Sequence, residues 1–253
     1  MKKVLVINPG STSTKVAYYE DKKEILNKNV CHETSELSKF ATIADQYGYR
    51  MELIQSFLEE EGIDYTQIDA AVGRGGALPP VEAGAYMVND EMIDWLVNGT
   101  KTHHASNLGA ILANGFREKS EKSCIAMIYD PITVDQYHEL ARVSGLKGVN
   151  RTSIGHALNM RAIALKTAED LGKPYEESNL IVAHLGSGST ISAHENGRMI
   201  DYSLDDEGPF SVERTGSLSL KEFIPFCYQM TQAEVTAWTR KEGGMISYLG
   251  TNS

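Results

Sequence analysis

Val4-Leu5-Val6-Ile7-Asn8-Pro9-Gly10-Ser11-Thr12-Ser13-Thr14-Lys15 and Leu180-Ile181-Val182-Ala183-His184-Leu185-Gly186-Ser187-Gly188-Ser189-Thr190-Ile191 read as two versions of one element. With Gly10 set on Gly186, the same offset of 176 residues matches Val6 with Val182, Ser11 with Ser187, Ser13 with Ser189, Thr14 with Thr190 and Ala17 with Ala193. Each version is a short apolar run, a turn of small residues, a second extended run and another turn, Glu20-Asp21-Lys22 or Glu195-Asn196-Gly197. An apolar run bounded by turn signals reads as a buried strand. Gly/Ser/Thr turns expose backbone N–H groups and hydroxyls that suit phosphate oxygens. The duplication therefore predicts two similar domains that grip a polyanion.

Working outward, the pattern predicts strands over 4–7, 16–20, 25–30, 68–72, 125–129, 180–184 and 190–194. Leu37, Phe40, Ile43, Tyr47, Met51, Ile54 and Leu58 form a helical stripe, interrupted at Gly48 and stopped by Gly62. Helices are also expected over 90–97 and 108–118. Ser153 is expected to cap a helix carrying Ile154, Ala157, Leu158, Leu165, Ala168 and Leu171, closed by Gly172 and Pro174. Strands and helices alternate after the first strand cluster, so the class is α/β. The expected domains are 1–148 and 149–253.

Acidic side chains number 34 and basic ones 24, for a net charge of −10. That balance opposes non-specific binding to nucleic acid or an acidic membrane. The N-terminal apolar run ends at Asn8-Pro9-Gly10, too short for a signal peptide. No run approaches the roughly 20 apolar residues of a spanning helix. Cys31, Cys124 and Cys227 are far apart, which suggests buried thiols in a reduced, cytoplasmic setting.

The first turn is not a Walker loop, and the second has Gly186 and Gly188 without a third glycine in dinucleotide-binding spacing. Arg74 stands between glycines after an apolar strand, where a ligand can approach the backbone and a guanidinium can fork onto carboxylate or phosphate. Arg214 could be the same kind of group, or a partner of Glu213. Asp130 ends a strand where α/β folds place ligands, and could hold Mg²⁺ or serve as a turn opener. His103 and His104 precede a helix capped by Ser106 or Asn107, and either histidine could donate to developing charge. His156 reads as structural, and the 201–207 acidic run as a solvated loop, with carboxylates near a metal as the alternative.

Together, the two turns, Gly73-Arg74-Gly75-Gly76 and Glu213-Arg214-Thr215-Gly216 resemble the acetate and butyrate kinase family, within the larger group of sugar kinases, actin and chaperone ATPases. The compact Gly-Arg-Gly-Gly and the Gly186-Ser187-Gly188 form look closer to the butyrate branch. The resemblance implies duplicated actin-like, ribonuclease H-like domains, each a mixed sheet flanked by helices. It also implies transfer of phosphoryl from ATP to butyrate or a branched relative, with Mg²⁺, by a homo-oligomer of at least two copies. In that light Asn8, Ser11, Ser13 and Lys15 match the first phosphate loop, and His184, Gly186, Ser187 and Gly188 the second. Arg74 and Arg214 match the arginines that hold carboxylate and phosphoryl, Asp130 the catalytic and metal-linked aspartate. His103 matches the transition-state histidine, with His104 its rival, and His156 a later family histidine less closely. Thr215-Gly216-Ser217 departs from the family's Ser-Gly-Asp, so no metal role transfers there. The family's adenosine-binding Gly-Gly segment and a metal-linked glutamate are expected beyond Ser253. The second domain therefore reads as incomplete, and weak activity is expected if Ser253 is a true terminus. A sugar kinase and a non-enzymatic actin-like switch are the rival functions.

Overall fold

Alternation of apolar and small residues builds a six-stranded sheet in the first of two compact units, Met1–Thr133 and Val134–Ser253. The computed structural model describes residues 1–204 and 206–251. Strands β1 (Lys3–Pro9), β2 (Ser13–Glu20) and β3 (Lys23–Cys31) form an antiparallel meander. Helices α1 (Thr34–Leu37) and α2 (Tyr47–Glu60) follow. Strand β4 (Ala70–Arg74) lies parallel to β1. After β5 (Ala85–Met87), α3 (Asp90–Asp94) and α4 (Leu108–Lys119), strand β6 (Ile125–Tyr129) adds parallel to β4. The sheet order is β3-β2-β1-β4-β6-β5. Leu5, Ile7, Val16 and Tyr18 of the sheet share one core with Ile54 and Leu58 of α2 and Leu108, Leu112 and Phe116 of α4.

Two glycines bring α4 onto β4 backbone against backbone. A Cβ on Gly73 would stand 2.1 Å from the Gly109 carbonyl oxygen, and one on Gly109 would stand 2.1 Å from that of Arg74. Such distances are forbidden to a real side chain. Glycine at both positions therefore seats the start of α4 beside the end of β4, where Arg74 lies.

The second unit contains α5 (Ala157–Asp170) and a meander of β7 (Leu180–Leu185), β8 (Ser189–Glu195) and β9 (Arg198–Ser203). Helices α6 (Leu220–Cys227), α7 (Gln232–Arg240) and α8 (Ile246–Leu249) complete its described elements. Strands β7–β9 repeat β1–β3. Both meanders turn between their second and third strands through left-handed backbone, at Asp21 (φ 52°) in one and at Asn196 (φ 50°) and Gly197 (φ 74°) in the other. Asp and Asn tolerate that region better than bulkier residues do.

Several local expectations are corrected. The stripe from Leu37 to Leu58 is not one helix. It breaks over 38–43, while Gly48 lies within α2. Ser153 does not cap α5: its hydroxyl is buried, donates to the Val134 carbonyl (2.6 Å) and meets the Tyr202 hydroxyl (2.6 Å). His156 instead takes the N-cap position. The 201–207 run is not a solvated loop. Asp201 lies in β9 and, with Glu207, clamps Arg151 at 2.9 and 2.8 Å; Asp205 lies outside the described residues. Cys31 and Cys227 are exposed rather than buried, and all three thiols are free.

Candidate functional site

The first turn, between β1 and β2, has its carbonyls spoken for and its amides open. Gly10 N–H donates to the Ser13 carbonyl (2.7 Å), and His32 N–H to the Thr12 carbonyl (2.9 Å). The buried guanidinium of Arg50 donates to the carbonyls of Gly10 (2.9 Å), Ser11 (3.1 Å) and Ser13 (3.4 Å), and to the Thr14 hydroxyl (3.1 Å). No described residue accepts from the amides of exposed Ser11 and Thr12. Asn8 and Lys15 face each other across the ladder just below, and Lys15 is exposed. A turn with inward carbonyls and outward N–H groups is an anion cradle. The structure thus brings together Asn8, Ser11, Ser13 and Lys15 as the sequence suggests.

Arg74 ends β4. It is half-buried, and among the described residues its guanidinium has no hydrogen-bond or ion-pair partner. Burial alone presses its pKa below the ordinary value. His104 lies close enough for Arg74 to act on it: its pKa is lowered first by burial and then by the Arg74 charge. Its Nδ1 accepts from the Ser106 N–H (3.1 Å) and meets the Ser106 hydroxyl (2.9 Å). That contact puts the proton of a neutral ring on Nε2, leaving Nε2–H as an outward donor. His103 takes a different place, lining a small pocket with Thr42, Ile43 and Leu96. Buried Asn107 takes the N-cap position of α4 without a side-chain capping hydrogen bond, and its side chain works as a strut. Its amide accepts from Ala77 N–H (2.9 Å) and donates to the Thr102 carbonyl (2.8 Å), tying the loop after Arg74 to the loop before His104.

Asp130 follows β6, buried, with φ at 37°. Its Oδ1 accepts from Gly84 N–H (2.7 Å), while its own N–H donates to the Gly84 carbonyl (2.9 Å). Gly75 is required here, because a Cβ on it would stand 2.6 Å from Pro131. The arrangement fixes one carboxylate at the carboxyl end of a parallel strand. No group of three His, Cys, Asp or Glu that could hold a metal occurs among the described residues.

In the second unit the turn between β7 and β8 likewise offers the amides of Gly186, Ser187 and Gly188 without an acceptor among the described residues. The Ser187 carbonyl is held twice, by the Ser211 hydroxyl (2.6 Å) and by Glu213 N–H (3.0 Å). Those donors belong to the loop that carries Arg214. Arg214 itself contacts Glu213 (3.4 Å) and donates to the Arg240 carbonyl. His184 stacks face to face on His156, with ring centroids 3.8 Å apart. His184 Nδ1 meets the Asn159 amide (2.9 Å), and His156 Nδ1 the Thr190 hydroxyl (3.0 Å). Thus His184, Gly186, Ser187 and Gly188 form one cluster, to which the loop of Arg214 is hydrogen-bonded. His156, read from sequence as structural, belongs to it.

Sequence reasoning missed Arg50, Gln46 and His32 behind the first turn, and Asn107 and Ser106 behind Arg74 and His104. Arg50 had a usable signal. It falls at helical spacing from Tyr47 and Ile54, inside an apolar stripe where a charge needs a reason.

Comparison with known proteins extends this picture. Residues 132–253 match the model of the acetokinase family. The chain is 43% identical to butyrate kinase 1 of Clostridium acetobutylicum over 255 residues, covering 99% of this chain and 71% of that protein. In fold it is similar to the acetate kinase of Porphyromonas gingivalis (TM-score 0.75, 20% identity, 100% of this chain and 71% of that one). It is similar too to a propionate kinase of Francisella tularensis (TM-score 0.71, 17% identity, again 100% and 71%). At those identities the structural likeness concerns the fold alone.

Proposed function

The chain belongs to the acetokinase family, and from that premise we propose that it transfers the γ-phosphoryl group of ATP to a short-chain carboxylate, giving ADP and the acyl phosphate. Butyrate or a branched relative is the acceptor suggested by the 43% identity to a butyrate kinase. The acceptor carboxylate is already ionised at neutral pH, so no strong base is needed. Positioning and charge neutralisation then supply most of the rate.

The observation that carries this reading is Arg74: a desolvated guanidinium, without a protein partner among the described residues, beside His104. An unpaired buried charge is costly, and a carboxylate or phosphoryl oxygen would relieve it. Of the two adjacent histidines, the coupling to Arg74 favours His104 over His103 as the donor to the transferring group. The open amides of the first turn, and those of Gly186, Ser187 and Gly188, suit nucleotide phosphates. Arg214 is assigned to the phosphoryl group with less freedom, since Glu213 and the Arg240 carbonyl already engage it.

A divalent ion, Mg²⁺ in this reading, fits Asp130. Mg²⁺ is commonly held by one or two carboxylates, waters and substrate phosphates rather than by an all-protein cage, and a lone carboxylate agrees with that mode. When bound, it would neutralise charge on the phosphate oxygens. The free thiols agree with a reducing, cytoplasmic setting. No described helix is long and apolar enough to cross a membrane.

The test is to incubate the protein with ATP, Mg²⁺ and butyrate and trap product with hydroxylamine, which converts an acyl phosphate to a hydroxamate. Hydroxamate is expected. Arg74→Met should lower kcat/KM by about 10²–10³, the usual cost of one charge-stabilising donor. Product in the wild type together with near-normal turnover by Arg74→Met would remove Arg74 from this role. ATP consumption without hydroxamate, on a sugar for example, would remove the carboxylate reading.

A further inference from the structure

Arg50 is the largest fully buried side chain, on the face of α2 that also buries Met51, Ile54 and Leu58. All of its polar contacts point towards one place. Nε and Nη2 donate to Gln46 Oε1 (3.1 and 2.9 Å), which fixes the plane of the guanidinium from its own helix. The remaining N–H groups reach Gly10, Ser11, Ser13 and Thr14. No carboxylate is paired with it among the described residues. His32, which could carry a second charge here, is kept neutral, its pKa lowered to about 4 by burial first and by Arg50 second.

This is an unusual way to hold a turn. A buried arginine is ordinarily matched by an acid, because an uncompensated interior charge is expensive. Here neutral dipoles answer it, the Gln46 amide oxygen, the Thr14 hydroxyl and three carbonyls of the turn whose amides face outward. Rotating the acceptors inward and presenting the donors outward are the same act, because each peptide unit carries both groups at opposite ends. The residual positive charge sits directly beneath the donors.

We propose that Arg50, anchored by Gln46, is a positioning residue for nucleotide binding: it locks the 10–13 turn in its anion-accepting orientation and biases it towards polyphosphate. The inference rests on the phosphotransfer reading in assigning nucleotide to this turn. It concerns affinity, however, and so has a readout independent of the acceptor that is phosphorylated.

The experiment is calorimetric titration of ADP, with Mg²⁺, into the wild type, Arg50→Lys, Arg50→Met and Gln46→Leu, each first shown folded by circular dichroism. Arg50→Lys keeps the charge but cannot span three carbonyls and Gln46. It should weaken ADP binding by about tenfold, with Arg50→Met weaker still and Gln46→Leu intermediate, as expected when donors are no longer pre-oriented. In turnover assays the KM for ATP should rise while the KM for butyrate stays within about twofold, a split that general loosening would not produce. If Arg50→Met does not fold, Arg50→Lys and Gln46→Leu decide the matter. Unchanged ADP affinity in folded Arg50→Lys and Gln46→Leu overturns the inference, as does an equal rise in both KM values or a wild type that binds no ADP. Weaker ADP binding by the variants, with no hydroxamate formed by the wild type, would uphold Arg50 and overturn only the carboxylate reading.

Discussion

The two Gly/Ser turns share a sequence pattern and part company in how they are held. In each, the conserved-offset threonine is gripped by a histidine: Thr14 by His32 (2.8 Å) and Thr190 by His156 (3.0 Å). Yet Thr14 pairs with Pro9, while Thr190 pairs with His184, the counterpart of Asn8, so the second turn is one residue tighter. Beneath the first turn lies a buried cation delivered by a helix. The second has its Ser187 carbonyl pinned by the loop of Arg214. The first is therefore preorganised by a part of the core that no ligand need touch. The second is tied to a loop bearing a candidate ligand group, so movement of Arg214 and of the turn should be linked.

The largest expected effect uses the two buried histidines, one in each unit, as acid-sensitive points. His32 and His194 have pKa values lowered to about 4, by burial first and then by Arg50 and Arg161 respectively. In the unfolded chain each protonates near 6.5, so between 6.5 and 4 the unfolded state binds more protons. Their contribution is complete above pH 6.5, declines as pH falls towards 4 and levels off below. Each accounts for about 3 kcal/mol over that window. His32 has the harsher position, since its Nδ1 is buried without a partner. Urea melts at pH 7 and pH 4.5 should show a steep loss, and His32→Gln should flatten part of it. An unchanged pH dependence in that variant would mean that His32 is not the acid-sensitive point of the first turn.

The contrast also explains what was legible beforehand. The paired turns, β6, α4 and the alternation that gives the α/β class could be read because their signals are local: apolar runs, glycines and caps within a few residues. Arg74 and Asp130 stood out because strand ends beside glycine or proline are conspicuous. What holds the turns was not legible. Arg50 is 40 residues from Gly10, and Ser211 is 24 from Ser187. Ser153 shows the same limit: a sound helix cap by local rules, it was claimed instead by Val134 and by Tyr202, 49 residues away. Between His103 and His104 the sequence offered no distinction. What distinguishes them in the structure is the Arg74 charge, which acts on His104, on a segment held by Ser106 and the Asn107 strut.

A second pair of variants sharpens the comparison at the threonines. Thr14→Val removes one of three acceptors of Arg50 Nη1 and the partner of buried His32 together. Leaving a buried polar group unsatisfied costs about 1–3 kcal/mol, and it falls mainly on His32, since Arg50 Nη1 keeps the Gly10 and Ser13 carbonyls. Thr190→Val removes one hydrogen-bond partner of half-buried His156, which keeps His184 to stack on, and should cost about 1 kcal/mol. Urea titration of both at pH 7 would reverse the argument if Thr190→Val proved the more damaging.

The smallest effect probes the link between the second turn and the Arg214 loop. Ser211→Ala deletes the hydroxyl that donates to Ser187 and accepts from Arg214 N–H (3.2 Å), but Glu213 N–H still holds the same carbonyl. With that donor left in place, the loss should be about 1 kcal/mol. Its clearest sign should be kinetic: faster amide hydrogen exchange at Gly186, Ser187, Gly188 and Arg214 together, with Ser11 and Thr12 unchanged. Co-acceleration is the informative part, because a turn and loop joined at the Ser187 carbonyl should loosen as one unit when that joint is weakened. Acceleration at the turn alone would show that Glu213 suffices to hold the loop. Equal acceleration at Ser11 and Thr12 would deny that the two turns are held independently.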